Sequence, residues 1–213
     1  MPLTAANARE GWLPRTLLAL LQRGLVAAAP AGETVEAVVL LADVSGFTAL
    51  TERLAESGAD GAEKLSEIFN ARFSGLIDTL GRHGGDITHF AGDAIVAIWP
   101  LASAGSRAGA VRRAAACGLA LQALPAAAAD GAHALPLRVG VCVGSAWWAL
   151  LGATDEQAFV FGGMPVVAAG VAAAAGQPGE VVVSAEAWPL LQPGRPHEPG
   201  GAADASGRRR HPV

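Results

Sequence analysis

The segment ETVEAVVLLADVSGFTAL constrains this chain more than any other. Val35 to Ala42 is short, β-branched and bounded by polar residues, the mark of a buried strand. It ends at Asp43, and a small Ser45-Gly46 turn leads into a helix starting near Thr48. An acidic side chain is thus placed at a strand end, beside a helix N-terminus. The main-chain N–H groups from Ser45 to Thr48, with the Thr48 hydroxyl, make a natural seat for a polyphosphate.

The rest of the chain supplies the elements around that strand. Leucines at 13, 17, 18, 20, 21 and 25 give Trp12 to Val26 a helical spacing, closed by Gly24 and Pro30. This leading helix is expected to pack on the domain. Docking on a membrane surface is the weaker alternative, because its polar face carries only two arginines. A long helix follows from about Asp60 to Arg82, with Leu65, Ile68, Phe69, Phe73, Leu76, Ile77 and Leu80 in one stripe. His83-Gly84-Gly85 stops it. DITHFAGDAIVAIW then reads as a β-hairpin with a tight Ala91-Gly92-Asp93 turn. A helix over about Gly105 to Leu124 comes next. LPLRVGVCVG, the shorter FVFG, the helix MPVVAAGVAAAA, the strand GEVVVS and a helical turn in SAEAWPLL complete the order.

Two helices between the first strand and a hairpin predict an α/β (α+β) sandwich of ferredoxin-like type. Helices are expected on one face of a mostly antiparallel sheet. Residues 1–33 form the N-terminal helical extension, 34–192 the domain, and 193–213 a disordered tail rich in proline and glycine. In this topology the first strand ends beside the hairpin tip, so Asp43 and Asp93 meet. Two carboxylates at strand ends suit a hard divalent cation such as Mg²⁺, which keeps sites open for phosphate oxygens. Two such ions serve a phosphoryl transfer. Read singly, Asp43 is an ordinary helix cap and Asp93 an ordinary turn residue. Their convergence is what points to function.

Composition narrows the field. A net charge of −4 argues against a nucleic-acid surface. Cys117 and Cys142 fit neither a disulfide framework nor a metal spacing and read as buried thiols. No signal peptide is visible, and Leu17–Leu21 and Val166–Ala175 are too short for a stable membrane span, so a cytoplasmic protein is expected. Gly84-Gly85-Asp86 superficially suggests the GGDEF signature of diguanylate cyclases, but Ile87-Thr88 follow it in place of Glu-Phe. A phospho-accepting receiver needs an earlier acidic pair and a later lysine, and the one lysine here is Lys64, on a helix.

The stretch LLADVSGFTALTERLAESGADGAEKLSEIFNARFSGLIDTLGRHGGDITHFAGDAIVAIW resembles the class III nucleotide cyclases. It is most similar to the first catalytic domain of the bicarbonate-responsive soluble adenylyl cyclase group. The resemblance covers about residues 13–190 and is strongest over 38–99. It implies a fold in which two cyclase domains pair head to tail around an active site at their interface. ATP, or less favourably GTP, becomes a 3′,5′-cyclic nucleotide with release of pyrophosphate, using two divalent cations (Mg²⁺ or Mn²⁺). By this resemblance Asp43 and Asp93 are the metal ligands, with the Val44 carbonyl as a third. Ser45, Gly46, Phe47 and Thr48 form the phosphate-binding turn, and Arg138 lies near the terminal phosphates.

The departures matter as much. His89 stands where adenylyl cyclases carry the purine-selecting lysine. It can read a purine edge or simply pack in the cleft. VFGGMPVVAAGVAAAA aligns with a stretch holding a base-reading Asp, a ribose-positioning Asn and a transition-state Arg, which here are Gly163, Val166 and Gly170. The only asparagines are Asn7 and Asn70, and no arginine lies between Arg138 and Arg195, so a register slip restores nothing. Ala169 and His89 replace the Arg and Lys of the bicarbonate site. The resemblance therefore implies a half-site that holds metal and triphosphate while a second cyclase domain supplies Asn and Arg. The alternative is a non-catalytic module that regulates a partner by pairing with it. Trp147 and Trp148, placed after a turn at Gly144, suit either a dimer surface or the edge of the core.

Overall fold

The computed structural model describes residues 14–22, 31–56, 58–125, 135–153, 156–192 and 208–211. Strand β1 (Ala31–Val44) sits at the centre of the sheet, with Ala37 to Leu40 buried on both faces. That explains its unbroken apolar run, since a strand covered on both sides has no solvent face to alternate with. On one edge it pairs antiparallel with β3 (Ala94–Pro100), which pairs with β2 (Asp86–Ala91). On the other it pairs antiparallel with β4 (Leu137–Ala153). β4 also pairs antiparallel with β5 (Glu156–Gly162) and parallel with β6 (Val181–Ser184), and β7 (Arg208–His211) closes that edge. The order is β2-β3-β1-β4-β6-β7, with β5 paired off this path.

The helices are α1 (Arg15–Gln22), α2 (Phe47–Ala55), α3 (Gly58–Arg82), α4 (Arg107–Gln122), α5 (Met164–Ala175) and α6 (Trp188–Leu191). They do not share one face. Leu76 and Leu80 of α3 and Val111 and Leu121 of α4 join Val38, Leu40, Val139 and Val141 in one core. Leu17 of α1 and Ala169 and Ala172 of α5 join Val39, Ile98 and Cys142 in a second core across the sheet. The one-face expectation is corrected for a physical reason. The buried face of α5 is small (Pro165, Ala169, Ala172 and Ala173), and Gly140 of β4 lets its backbone lie against the sheet. A Cβ at Gly140 would meet the Ala169 carbonyl oxygen at 2.0 Å.

Glycine also explains the longer β4. Gly144 is not a turn but lies inside the strand, where an added Cβ would press on Pro165 at 3.1 Å. The chain runs on through both tryptophans, and strand alternation separates them. Trp148 is 5% exposed in the second core, whereas Trp147 is 45% exposed. β1 likewise starts at Ala31 rather than Val35, because β4 extends far enough to pair with it from Leu150.

Part of the expected disordered tail is ordered. Arg208–His211 forms β7, which pairs with the otherwise open edge of β6. The remaining tail, 193–207 and 212–213, and the outer parts of the leading helix, 12–13 and 23–26, lie outside the described residues. Cys117 and Cys142 are free and buried, and burial pushes the Cys117 thiol up to about 12. Among the described residues no helix is long and apolar enough to cross a membrane.

Candidate active site

The register brings the predicted residues together. Asp43 lies opposite Ala94, next to Asp93 at the hairpin tip, and on its other side opposite Arg138 of β4. Gly92 (φ +66°) takes the first of the two turn positions, and Asp93 the second. Positive φ at that first position is what a II′ hairpin turn needs, and glycine adopts it without strain. The hairpin thus carries Asp93 to the β1 terminus through main-chain geometry alone.

The charges at this point are unbalanced. Burial holds the Asp43 carboxyl above the usual carboxylate range, the Asp93 charge raises it further, and Arg138 partly offsets both. The Arg138 Nε stands 3.9 Å from Asp43 Oδ2, and both side chains are about a third exposed (33% and 31%). Among the described residues no group of three or more His, Cys, Asp and Glu could hold a metal. Two carboxylates beside an open turn do not make a closed transition-metal site. They match a cation bound through one or two carboxylates that completes its shell with water and phosphate.

Val44 is buried in the first core, so only its main-chain carbonyl is available to this site. Ser45 departs from expectation. Its N–H donates to the Pro136 carbonyl at 2.8 Å, extending the β1–β4 ladder one residue and removing that donor from the expected phosphate-binding turn. Its hydroxyl instead accepts from Arg138 Nε at 2.8 Å. Gly46 (φ +84°) is the N-cap of α2, with no side-chain cap, so the helix opens through Phe47 and Thr48 with main-chain donors. The Phe47 ring packs inward on Phe69 (centroids 5.6 Å apart). The Thr48 side chain lies outside the described residues.

His89 shares a row with Val96 and Leu41, on the same sheet face as Asp43 and two residues back along β1. Its Nδ1 lies 3.1 Å from Thr88 Oγ1, and burial lowers its pKa, favouring the neutral ring. α5 packs on that face too. Val166 is seated against the second core, and a Cβ on Gly170 would stand 3.6 Å from Leu41 Cδ1. Gly163 (φ +125°) lies so close to β4 that a Cβ would meet Ala146 Cα at 3.0 Å. Both the backbone angle and the close approach disfavour any side chain there.

Two features escaped the sequence reading. Asp86, set aside as a misleading motif, is buried and caps α1. It accepts from Arg15 N (2.7 Å), Thr16 N (2.8 Å) and Thr16 Oγ1 (2.6 Å). The signal was a helix entered through Leu13-Pro14 with no capping residue of its own. The second is an aromatic ladder. Phe69 stacks on Phe73 (4.0 Å), which meets Phe90 (6.0 Å), so α3 links the Phe47 turn to the hairpin that carries Asp93.

The family model of the adenylate and guanylate cyclase catalytic domain matches residues 30–209, and the chain belongs to that family. Over 66 residues it is 42% identical to human adenylate cyclase type 10, covering 30% of this chain and 4% of that protein. The chain therefore spans a small fraction of the curated relatives it matches. In fold it resembles the adenylyl cyclase CyaB from P. aeruginosa (TM-score 0.63, 22% identity, 76% of this chain and 82% of that one). It also resembles the guanylyl cyclase Cya2 (TM-score 0.64, 22% identity, 81% and 89%).

Proposed function

We propose that this cyclase-family domain converts ATP, with GTP the less favoured substrate, to a 3′,5′-cyclic nucleotide and pyrophosphate, and that it carries one half of the composite site. The observation behind this reading is the meeting of Asp43, Asp93 and Arg138 at one strand end beside the open N-terminus of α2. Asp43 and Asp93, with the Val44 carbonyl, would hold two divalent cations (Mg²⁺ or Mn²⁺). When bound, the cations supply activation of the attacking hydroxyl and neutralise charge on the leaving pyrophosphate. The N–H groups opening α2 would seat the phosphate chain, and the Arg138 fork would bind its terminal oxygens. His89, neutral and on the same face, would meet the purine edge as donor or acceptor.

The other half has to come from elsewhere. Gly163, Val166 and Gly170 carry no polar side chain for base, ribose or transition state, and removing even one transition-state donor costs roughly 10²–10³ in rate. A second, complementary cyclase domain would therefore supply Asn and Arg. The test is cyclic-nucleotide formation from ATP and from GTP with Mg²⁺ or Mn²⁺, by the chain alone and mixed with such a domain. Background activity alone and turnover in the mixture are expected. High activity alone would sink the half-site reading. Inactivity in the mixture, together with no metal-dependent nucleotide binding, would favour a non-catalytic module that acts by pairing.

A further inference from the structure

Asp43 and Arg138 face each other across the β1–β4 ladder, a position from which opposite charges ordinarily close into contact at about 2.7–2.9 Å. They do not close. Arg138 Nε stays 3.9 Å from Asp43 Oδ2 and gives its N–H to Ser45 Oγ at 2.8 Å. The main chain of Ser45 is held in place, because the residue is buried and its own N–H is fixed on Pro136, two residues before Arg138 on the same stretch of chain. Main chain and side chain of Ser45 are thus both anchored to the start of β4. Nε carries a single N–H, so this contact leaves the four N–H bonds of Nη1 and Nη2 outside it. Serine suits the task because it is a neutral acceptor: it orients the guanidinium without cancelling its charge toward an anion.

We propose that Ser45 is a positioning residue that holds Arg138 off Asp43, so that this arginine can serve a triphosphate without closing the cation seat. The inference rests on the half-site reading above. Without the Ser45 hydroxyl, the Asp43 carboxylate, 3.9 Å away, is an oppositely charged acceptor within reach of Nε. Arg138 would then close on it and compete with the incoming cation.

Mn²⁺ binding, followed by electron paramagnetic resonance of the free ion, and binding of a non-hydrolysable ATP analogue test this on the full chain. Arg138→Gln is expected to act in opposite directions. It tightens Mn²⁺ by about 3–10-fold, because a neighbouring positive charge is gone, and weakens the analogue by about 10-fold. Ser45→Ala is expected to weaken both by about threefold or more, and to change Mn²⁺ affinity hardly at all once Arg138 is Gln. An unchanged Mn²⁺ affinity in Ser45→Ala, or an equal effect with and without Arg138, would overturn the proposal. If Ser45→Ala does not fold, Arg138→Gln decides alone, and changes of the same sign for both ligands overturn it. Failure of the unmodified chain to bind Mn²⁺ overturns the half-site reading itself, and that outcome is visible before any variant is made.

Discussion

The β1 terminus and the start of α5 occupy the same face of one sheet, yet they are built from opposite chemistry. At β1, three charged side chains and a serine converge, and burial leaves the Asp43 carboxyl raised. At α5, Gly163 is pressed against β4, Val166 packs into the second core, and Met164, Val167 and Val171 are exposed. One region keeps unneutralised charge at a cost to its own stability. The other has nothing polar to contribute. Such an asymmetry is what the proposed half-site requires.

The sharpest way to break the comparison is to remove the polar side. Asp43→Asn or Asp93→Asn is expected to lower metal-dependent nucleotide affinity by roughly 100-fold or more, since even groups that merely support metal ligands cost 10–100-fold. Isothermal titration with and without Mg²⁺ reads this directly. If either variant binds like the unmodified chain, the carboxylate pair is not the cation seat.

The converse change adds polarity to α5. Gly170→Arg has room to begin, because the nearest atom to its Cβ is Leu41 Cδ1 at 3.6 Å. With Val166→Asn it restores the two missing donors, and the chain alone is expected to gain roughly 10²-fold in cyclase rate over background. Gly163 is left unchanged, because its backbone excludes a side chain. A double variant that folds and pairs but shows no gain would mean that α5 is not the missing half.

A smaller effect separates packing from positioning. Phe69 joins the Phe47 turn to Phe73 and the hairpin, so Phe69→Ala is expected to cost about 2–3 kcal/mol. That corresponds to roughly 5–10 °C in Tm. Leu121→Ala, in α4, removes a fully buried side chain of the same core at a similar cost. Only Phe69→Ala is expected to weaken Mn²⁺ as well, by several-fold. Equal Mn²⁺ affinities in the two variants would reduce the ladder to ordinary core.

Much of this was legible in the sequence, and the exceptions have physical causes. The strand before Asp43 and the hairpin at Gly92 were readable because local rules decide them: an apolar run, and a glycine where positive φ is needed. Their meeting was readable because topology follows from element order. The contact of Ser45 with Arg138 was not, since it depends on β1–β4 register between residues far apart in sequence. Gly144 misled for a related reason: glycine marks a turn and a close backbone approach alike, and only the position of Pro165 tells them apart. Asp86 was overlooked because the only local sign was a helix start lacking its own cap, and nothing near it in sequence says which distant residue supplies one.

The smallest effect is on stability, and its sign is the reverse of the largest. The folded-state pKa of Asp43 is raised, so ionising it disfavours the folded chain. Stability is therefore lost as pH rises from the unfolded value of about 3.9 through the folded value, and it stays lost above. Asp43→Asn removes this term. In metal-free buffer the variant is expected to match the unmodified chain at low pH and to exceed it near neutrality by about 0.5 kcal/mol, a modest figure because the side chain is about a third exposed. That is roughly 1–2 °C in Tm. Saturating Mg²⁺ should invert the order, because only the unmodified chain gains binding energy, about 2.7 kcal/mol at a hundredfold excess over Kd. Two melting curves that cross over with metal would show the carboxylates to be costly when empty and stabilising when filled. Curves that keep their order would return Asp43 to the role of an ordinary strand-end residue.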